Sequence, residues 1–423
     1  MKVFKFGGAS VKDAAAVRNV AEIMSLFKGE KIGVVVSAMG KTTNALEFIV
    51  DALCRREKSK FDELVSELKN FHHEIISSLF KDVNHPIYSD LATEFSSLSI
   101  MYDARIPDNF NFEYDQIVSL GEVISTKIVS AYLNECAISA SWADARLLIR
   151  TDNKYREGEV DWSKTEELFK LNFMPRFSNV DVQVIQGFIG HTSEGLTVTL
   201  GREGSDYTAG IMAFCCDTES VTIWKDVPGM LNADPKWFDN TIKLDRISFQ
   251  EAIELSYYGA SVIHPKTLKP LQNKNIPLYV KSFLEPNASG TIIQSSTSED
   301  HIVPSFIFKM NQVLFSFTPR DFSFIVEKNL SDIFSRLAKA DAKINLMQNS
   351  ALNFSILLDE EKVNIEEIQS LFEDAYLVKY NQGLELVTVR HYDLETLERV
   401  TTDKDIILQQ KTRETARLIV KQR

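Results

Sequence analysis

A chain of 423 residues with 44% hydrophobic and 25% charged side chains can hold two or three domains and bury a full core in each. Its formal net charge of −12 speaks against nucleic acid or an anionic membrane as the main partner, so a phosphate-handling site must gather positive charge locally. The four cysteines lack C-x-x-C spacing and read as reduced core thiols, no Cys/His metal set appears, and no run approaches the ~18 apolar residues of a membrane span.

The first residues carry charges and glycines in place of an apolar leader core, so the expectation is a cytoplasmic protein. Val3 to Phe6 reads as a strand, and Gly7-Gly8 follow at once. A strand that passes through glycines into a helix is an anion site. Backbone can approach the ligand there, and the first helical N–H groups have no internal partner. Ser10 with Asp13 reads as a capping box for the next helix, with Val17, Val20, Ala21, Met24 and Phe27 at helical spacing and Gly29 as its C-cap. Ile32 to Ser37 is a nearly continuous apolar run, as in a strand buried on both faces. This βαβ unit predicts a parallel sheet.

Further strands are expected at Ile138–Trp142, Val182–Phe188, Val221–Trp224 and Pro277–Lys281. Between about 55 and 115 the chain has no glycine and reads as long charged amphipathic helices, an excursion on the sheet. Residues 1–300 are therefore expected to form one α/β domain, a mainly parallel sheet sandwiched between helical layers. A polar stretch from Ser295 to His301 reads as a linker. After it Val313–Phe317, a helix from Leu330 to Ala340, Lys343–Met347, the alternating Phe354, Ile356 and Leu358, a helix over Ile365–Phe372, and Tyr376–Tyr380 make a βαββαβ unit. Leu384–His391 and Ile406–Val420 add strands with a short helix between them, too little for a second complete unit.

At Gly201-Arg-Glu-Gly-Ser-Asp-Tyr-Thr-Ala209 the chain again leaves a strand through glycines and enters a helix. Ser205 is expected as its N-cap, with Asp206 in the first turn where the dipole favours a carboxylate. Arg202 brings a guanidinium suited to a small acidic substrate. Glu122 lies off the apolar stripe of Ile117, Leu120, Ile124, Ile128 and Tyr132, so periodicity alone places it on a solvated face.

With these residues in hand the chain resembles the aspartate kinases, a branch of the amino acid kinase family. The similarity runs through Lys5–Ser10, Ser37–Asn44, Ser119–Thr126, Gly201–Ala209, Trp224–Gly229 with Ala233–Lys236, Tyr258–Pro265 and Ile276–Lys281. The tail looks like an ACT domain, an amino-acid-sensing module. The resemblance implies phosphoryl transfer from ATP to the β-carboxylate of aspartate, a first step toward lysine, threonine and methionine. Other amino acid kinases acting on glutamate-type substrates, and an amino-acid sensor without turnover, are the alternatives.

The resemblance also assigns roles. Lys5 and Asp206 become catalytic, Asp206 as an orienting group and not a base. Thr43, Glu122, Arg202 and Ser205 would hold aspartate, with Arg202 on the α-carboxylate and Glu122 on the ammonium. Lys5, Gly7, Gly8, Ser37, Lys225, Asp226, Leu231, Lys236 and Ser261 would meet ATP, with Mg2+ carried on its phosphates and no protein-built metal site. Asn345, Asn349 and Ser350 mark where an effector is expected, and the ACT-like region would join two or more copies. The chain departs from the family pattern at Ala9, Glu203, Lys225 and Ser261, where threonine, glycine, threonine and lysine are common.

Overall fold

A computed structural model describes residues 1–104, 106–260 and 263–423. The chain forms two compact units. The first comprises Met1–Met230, Lys243–Ile253 and the stretch ending at Asp300, and the second Leu231–Ile242, Glu254–Ala260 and His301–Arg423.

The strands of the first unit are β1 (Lys2–Phe6), β2 (Ile32–Val36), β3 (Ala140–Ala143), β4 (Val182–Gln186), β5 (Ile189–His191), β6 (Thr197–Thr199), β7 (Ser220–Lys225), β8 (Arg246–Ser248), β9 (Leu278–Ser282) and β10 (Thr291–Gln294). Eight of them build one sheet in the order β3-β4-β2-β1-β7-β9-β10-β8, while β5 and β6 form a separate ribbon. Every pairing in the large sheet is parallel except β9 with β10. β2 is buried at all five positions, as a strand covered on both faces must be. β1 lies at the centre, with β2 on one side and β7 on the other. The chain order reverses there, which is where α/β sheets open a ligand crevice beyond the carboxyl ends of their strands.

Helices α1 (Ala14–Ser25), α2 (Thr42–Cys54), α3 (Lys58–Leu79), α4 (Pro86–Ala104), α5 (Phe110–Val118) and α6 (Leu120–Glu135) share one core with Phe4, Phe6, Val34 and Val36. The predicted helical excursion is thus α3 and α4, and Phe61, Leu68, Ile76, Phe95 and Leu98 tie it to that core. Then come α7 (Trp162–Leu168), α8 (Gly204–Cys215), α9 (Phe249–Tyr258) and α10 (Pro265–Lys274).

Three local expectations are corrected. Asp13, not Ser10, caps α1 and accepts from Ala16 N at 2.8 Å, because Gly8–Val11 makes a 3-10 turn before the helix begins. The C-cap is Leu26, and Gly29 lies beyond it at φ 83°. Cys136 is exposed and not a core thiol.

The second unit is built on β11 (Ser305–Pro319), α11 (Glu327–Lys339), β12 (Ile344–Asn349), β13 (Phe354–Asp359), α12 (Ile365–Phe372), β14 (Tyr376–Arg390), α13 (Leu394–Thr401), β15 (Lys404–Lys411) and β16 (Thr415–Gln422). They form an antiparallel sheet in the order β12-β13-β11-β14-β16-β15. Two predicted strands, Tyr376–Tyr380 and Leu384–His391, are one 15-residue strand, β14. It pairs with the equally long β11 and shifts register near Lys309, Gln312 and Leu314, so the pair bends. The sheet then curls on itself. Gln410 of β15 donates to Met347 O of β12 at 2.8 Å, and Leu314, Leu346, Leu357, Leu384, Leu386 and Ile419 fill the inside. α11 and α12 cover one outer face through Ile333, Leu337, Ile368 and Phe372, while Leu397 and Val400 of α13 cover another. The segment Leu231–Ile242 packs on this unit: Phe306 N donates to Asn232 O at 2.7 Å, and the Phe238 and Phe306 rings stack at 4.3 Å. Among the described residues, no helix is long and apolar enough to cross a membrane.

Candidate active site

At the carboxyl ends of β1, β2, β4 and β7 the first unit opens a cleft of about 930 Å³. Lys5, Ser37, Lys225 and Asp206 line it, and so do Thr43, Glu122, Arg202 and Ser205. Eight residues singled out from separated motifs therefore share one cavity.

At its centre is an ion cluster. Lys5 Nζ lies 2.6 Å from Asp206 Oδ1, and Lys225 Nζ 3.7 Å from Asp206 Oδ2. Burial pushes the Asp206 carboxyl up, but the charges of Lys5 and Lys225 outweigh it and hold the group below the usual carboxylate range. Two ammoniums around one carboxylate leave a net positive charge beside the glycine loop. A Cβ at Gly7 would lie 3.3 Å from Lys5 Nζ, and one at Gly8 would meet Ala38 O at 2.9 Å. Side chains at either position would crowd this lysine or push the β1 and β2 loops apart.

Glu122 sits in the first turn of α6 and is only 3% exposed, contrary to the solvated face that its periodicity predicts. Its Oε1 accepts from Ala38 N at 3.2 Å, and its Oε2 is buried with no hydrogen-bond partner among the described residues. Burial pushes its carboxyl up to about 8, against the opposing effects of the Ala38 hydrogen bond and the Lys5 charge. Three residues further on, Ser125 Oγ donates to Ser37 O at 2.7 Å, so α6 pins the β2 loop.

The third wall is the start of α8. Its N-cap is Glu203, in left-handed backbone at φ 53°, and not Ser205, which lies inside the first turn. Gly201 is left-handed as well, at φ 77°. Two bends of this kind, on either side of Arg202, delay the helix until Gly204. Ser205 is held against Gly187, where a Cβ would come within 2.5 Å of Ser205 Oγ. Arg202 is exposed and makes no hydrogen bond or ion pair with the described residues.

Tyr114, Arg156 and Thr199 also line the cleft but belong to no sequence motif, and residues behind the lining hold them. Buried Asp115 accepts from Arg156 N at 2.9 Å, Thr199 N at 3.0 Å and Thr199 Oγ1 at 2.7 Å. The Arg156 guanidinium stands 4.2 Å above the Tyr114 ring, and Tyr114 Oη donates to Glu47 Oε1 at 2.9 Å. The sequence holds no signal for them, since Asp115 is one polar residue among Asn111, Glu113 and Gln116 in α5.

The remaining expected positions lie elsewhere. Asp226 follows β7 outside the cleft lining. Leu231 and Lys236 belong to the second unit, and Ser261 lies outside the described residues. Asn345 of β12 is taken up internally: its Oδ1 accepts from Lys309 Nζ at 2.8 Å, and its Nδ2 donates to Gln312 Oε1 and Asp359 Oδ1, each at 2.8 Å. Asn349 and Ser350 are exposed at the end of that strand.

A cleft with clustered ammoniums, a backbone cradle and a separate carboxylate suits phosphoryl transfer near a charged small molecule. The profile of the amino acid kinase family matches residues 1–282. The chain belongs to the amino acid kinase family. Within that family its similarity runs to aspartokinases. It is 31% identical over 359 residues to the lysine-sensitive aspartokinase 3 of Escherichia coli (strain K12), covering 84% of this chain and 78% of that protein. It is 29% identical over 373 residues to the chloroplastic aspartokinase 1 of Arabidopsis thaliana, covering 86% and 64%. Among solved structures, E. coli aspartokinase III in complex with lysine and aspartate aligns with this amino acid kinase at a TM-score of 0.84 and 28% identity, over 100% of this chain and 96% of that one. The same enzyme in complex with aspartate and ADP aligns at 0.80, with the same identity and coverage.

Proposed function

We propose that this amino acid kinase is an aspartokinase, which transfers the γ-phosphoryl group of ATP to the β-carboxylate of L-aspartate to give 4-phospho-L-aspartate and ADP. One observation carries this reading: a guanidinium and a buried carboxylate oxygen that have no partner among the described residues share a cleft with a lysine-rich phosphate corner. The first two complement the two ends of an amino acid, the third a phosphate.

In this reading Arg202 takes the α-carboxylate, Glu122 the α-ammonium, and Thr43 and Ser205 orient the side chain. The β-carboxylate is ionised at neutral pH and needs no base. One of its oxygens bonds to the γ-phosphorus as the bond to the β,γ-bridging oxygen breaks, and that oxygen leaves with ADP. Lys5, aimed by Asp206, meets the charge that spreads over the transferring group, and Lys225 supplies a second ammonium. Backbone at Gly7 and Gly8, with Ser37, borders the phosphate oxygens. The resemblance assigns the rest of the nucleotide to Asp226, Leu231, Lys236 and Ser261. Magnesium fits as an ion carried on the phosphates, because Asp206 is already committed to two ammoniums; it would shield the triphosphate's charge.

The second unit, with its β11-α11-β12-β13-α12-β14 order, is read as an ACT-like regulatory region that joins copies of the chain. Since Asn345 is occupied by Lys309, Gln312 and Asp359, an effector at the edge of β12 would meet Asn349 and Ser350. A cytoplasmic place at the head of lysine, threonine and methionine synthesis accords with this activity. A coupled ADP-release assay checks the substrate: turnover is expected with L-aspartate and about 10- to 200-fold less kcat/KM with L-glutamate, since one methylene in a rigid site is worth ~1–3 kcal/mol. Equal rates with both acids, or glutamate preference, would overturn the assignment.

A further inference from the structure

Beside Phe188 at φ 71°, the cleft lining holds two charged residues in left-handed backbone, and their charges are opposite: Arg156 at φ 70° and Glu203 at φ 53°. Such positions suit glycine, and where other residues persist in them at a binding site the side chain has a use. The two loops touch, since a Cβ at Gly201 would lie 3.2 Å from Arg156 O. Arg156 has its use in view, with its backbone held by Asp115 and its guanidinium over Tyr114. For Glu203 the bland explanation is an N-cap. It fails, because the Glu203 side chain makes no capping hydrogen bond with α8.

What Glu203 offers is an acceptor. Its Oε2 is buried and has no hydrogen-bond partner among the described residues, and the adjacent Arg202 does not pair with it. A buried acceptor without a donor is unfavourable unless the donor arrives with a ligand. Phosphates and carboxylates bring none. An ammonium brings three N–H groups and a positive charge, and one acceptor for it, Glu122 Oε2, already lines the same cleft.

We infer that Glu203 is a specificity-determining residue of the amino acid site: with Glu122 it receives the α-ammonium of the substrate and so discriminates against dicarboxylates that lack one. The inference deepens the aspartokinase reading and rests on it. Discrimination would come from both sides, since an ammonium satisfies Glu122 Oε2 and Glu203 Oε2 whereas its absence leaves these two buried oxygens without a donor.

The test is calorimetric binding of L-aspartate and of succinate, which has the same two carboxylates and no ammonium, to the wild type, Glu203→Gln and Glu203→Gly. The wild type should prefer aspartate, and both variants should lose about tenfold or more in aspartate affinity while binding succinate as well or better. Glu203→Gly removes a side chain from left-handed backbone, so it should fold at least as well as the wild type, and a loss of binding there cannot be laid to unfolding. An aspartate-to-succinate ratio unchanged in both variants would overturn the inference. Turnover by the wild type reports separately on the kinase reading, whereas these binding ratios remain readable even if turnover is absent.

Discussion

Glu122 meets two demands that pull against each other. Burial favours its protonated form, with a pKa of about 8, while an ammonium needs the carboxylate. In the empty cleft at pH 7 it is mostly protonated, so aspartate binding should release a proton. The KM for aspartate should then fall as pH rises from 6 towards 8, by up to about tenfold per unit, and level off above the pKa. Steady-state kinetics across that range check this, and a flat profile contradicts it. The stability sign runs the other way. An unfolded chain loses this proton near 4.5 and the folded chain near 8, so in that window unfolding releases a proton and stability falls as pH rises. Glu122→Gln should therefore raise Tm more at pH 8 than at pH 5 while weakening aspartate binding. Lys5→Ala acts differently: it removes a contact that strengthens as charge moves, so kcat should drop by ~100- to 1,000-fold with little change in aspartate affinity. Equal losses in both would contradict its role. Lys5 was legible from its place before Gly7-Gly8. Glu122 was not, because periodicity compares the faces of one helix and cannot see that the loop after β2 buries the polar face of α6.

Among the elements, the glycine joins carry the site. The β1 turn was readable because two glycines after a strand state its geometry outright. The N-cap of α8 lies two residues before the expected Ser205, since nothing in Gly201-Arg-Glu-Gly announces that Glu203 adopts the left-handed backbone ahead of the helix. The β5–β6 ribbon and the strands β8 and β10 leave no mark in the sequence pattern, because three or four residues are too short for alternation to register. What holds the first turn of α8 in place is Gly187, just after β4. Gly187→Ala would drive a methyl to within 2.8 Å of Ser205 Cα, backbone that cannot swing aside as a side chain does. The expected result is a loss of about 1–3 kcal/mol in a denaturation experiment, together with a raised KM for aspartate as Ser205 and Asp206 shift. A variant of unchanged stability and KM would show that this contact does not position the helix.

Over the whole molecule, the motifs of the cleft come from segments some 200 residues apart, yet the parallel register sets them side by side: Lys5 pairs with Ile223 and Val35 across β1, so the β2 and β7 loops must flank its own. The α/β class and the βαββαβ order were legible from period and punctuation. The curl of the second sheet was not, because it follows from the bend in β11 and β14 and from side chains meeting across the fold. Leu357 lies in that enclosed layer, fully buried, so Leu357→Ala should cost about 2–5 kcal/mol in the unfolding of that unit, read by urea titration. In an aspartokinase the acceptor is the side-chain carboxylate of aspartate, and the product is an acyl phosphate. Hydroxylamine added to the enzyme with MgATP and L-aspartate traps that product, and mass spectrometry identifies it. The β-hydroxamate of aspartate is expected in proportion to ADP, and ADP formed without any aspartyl hydroxamate would contradict the aspartokinase assignment.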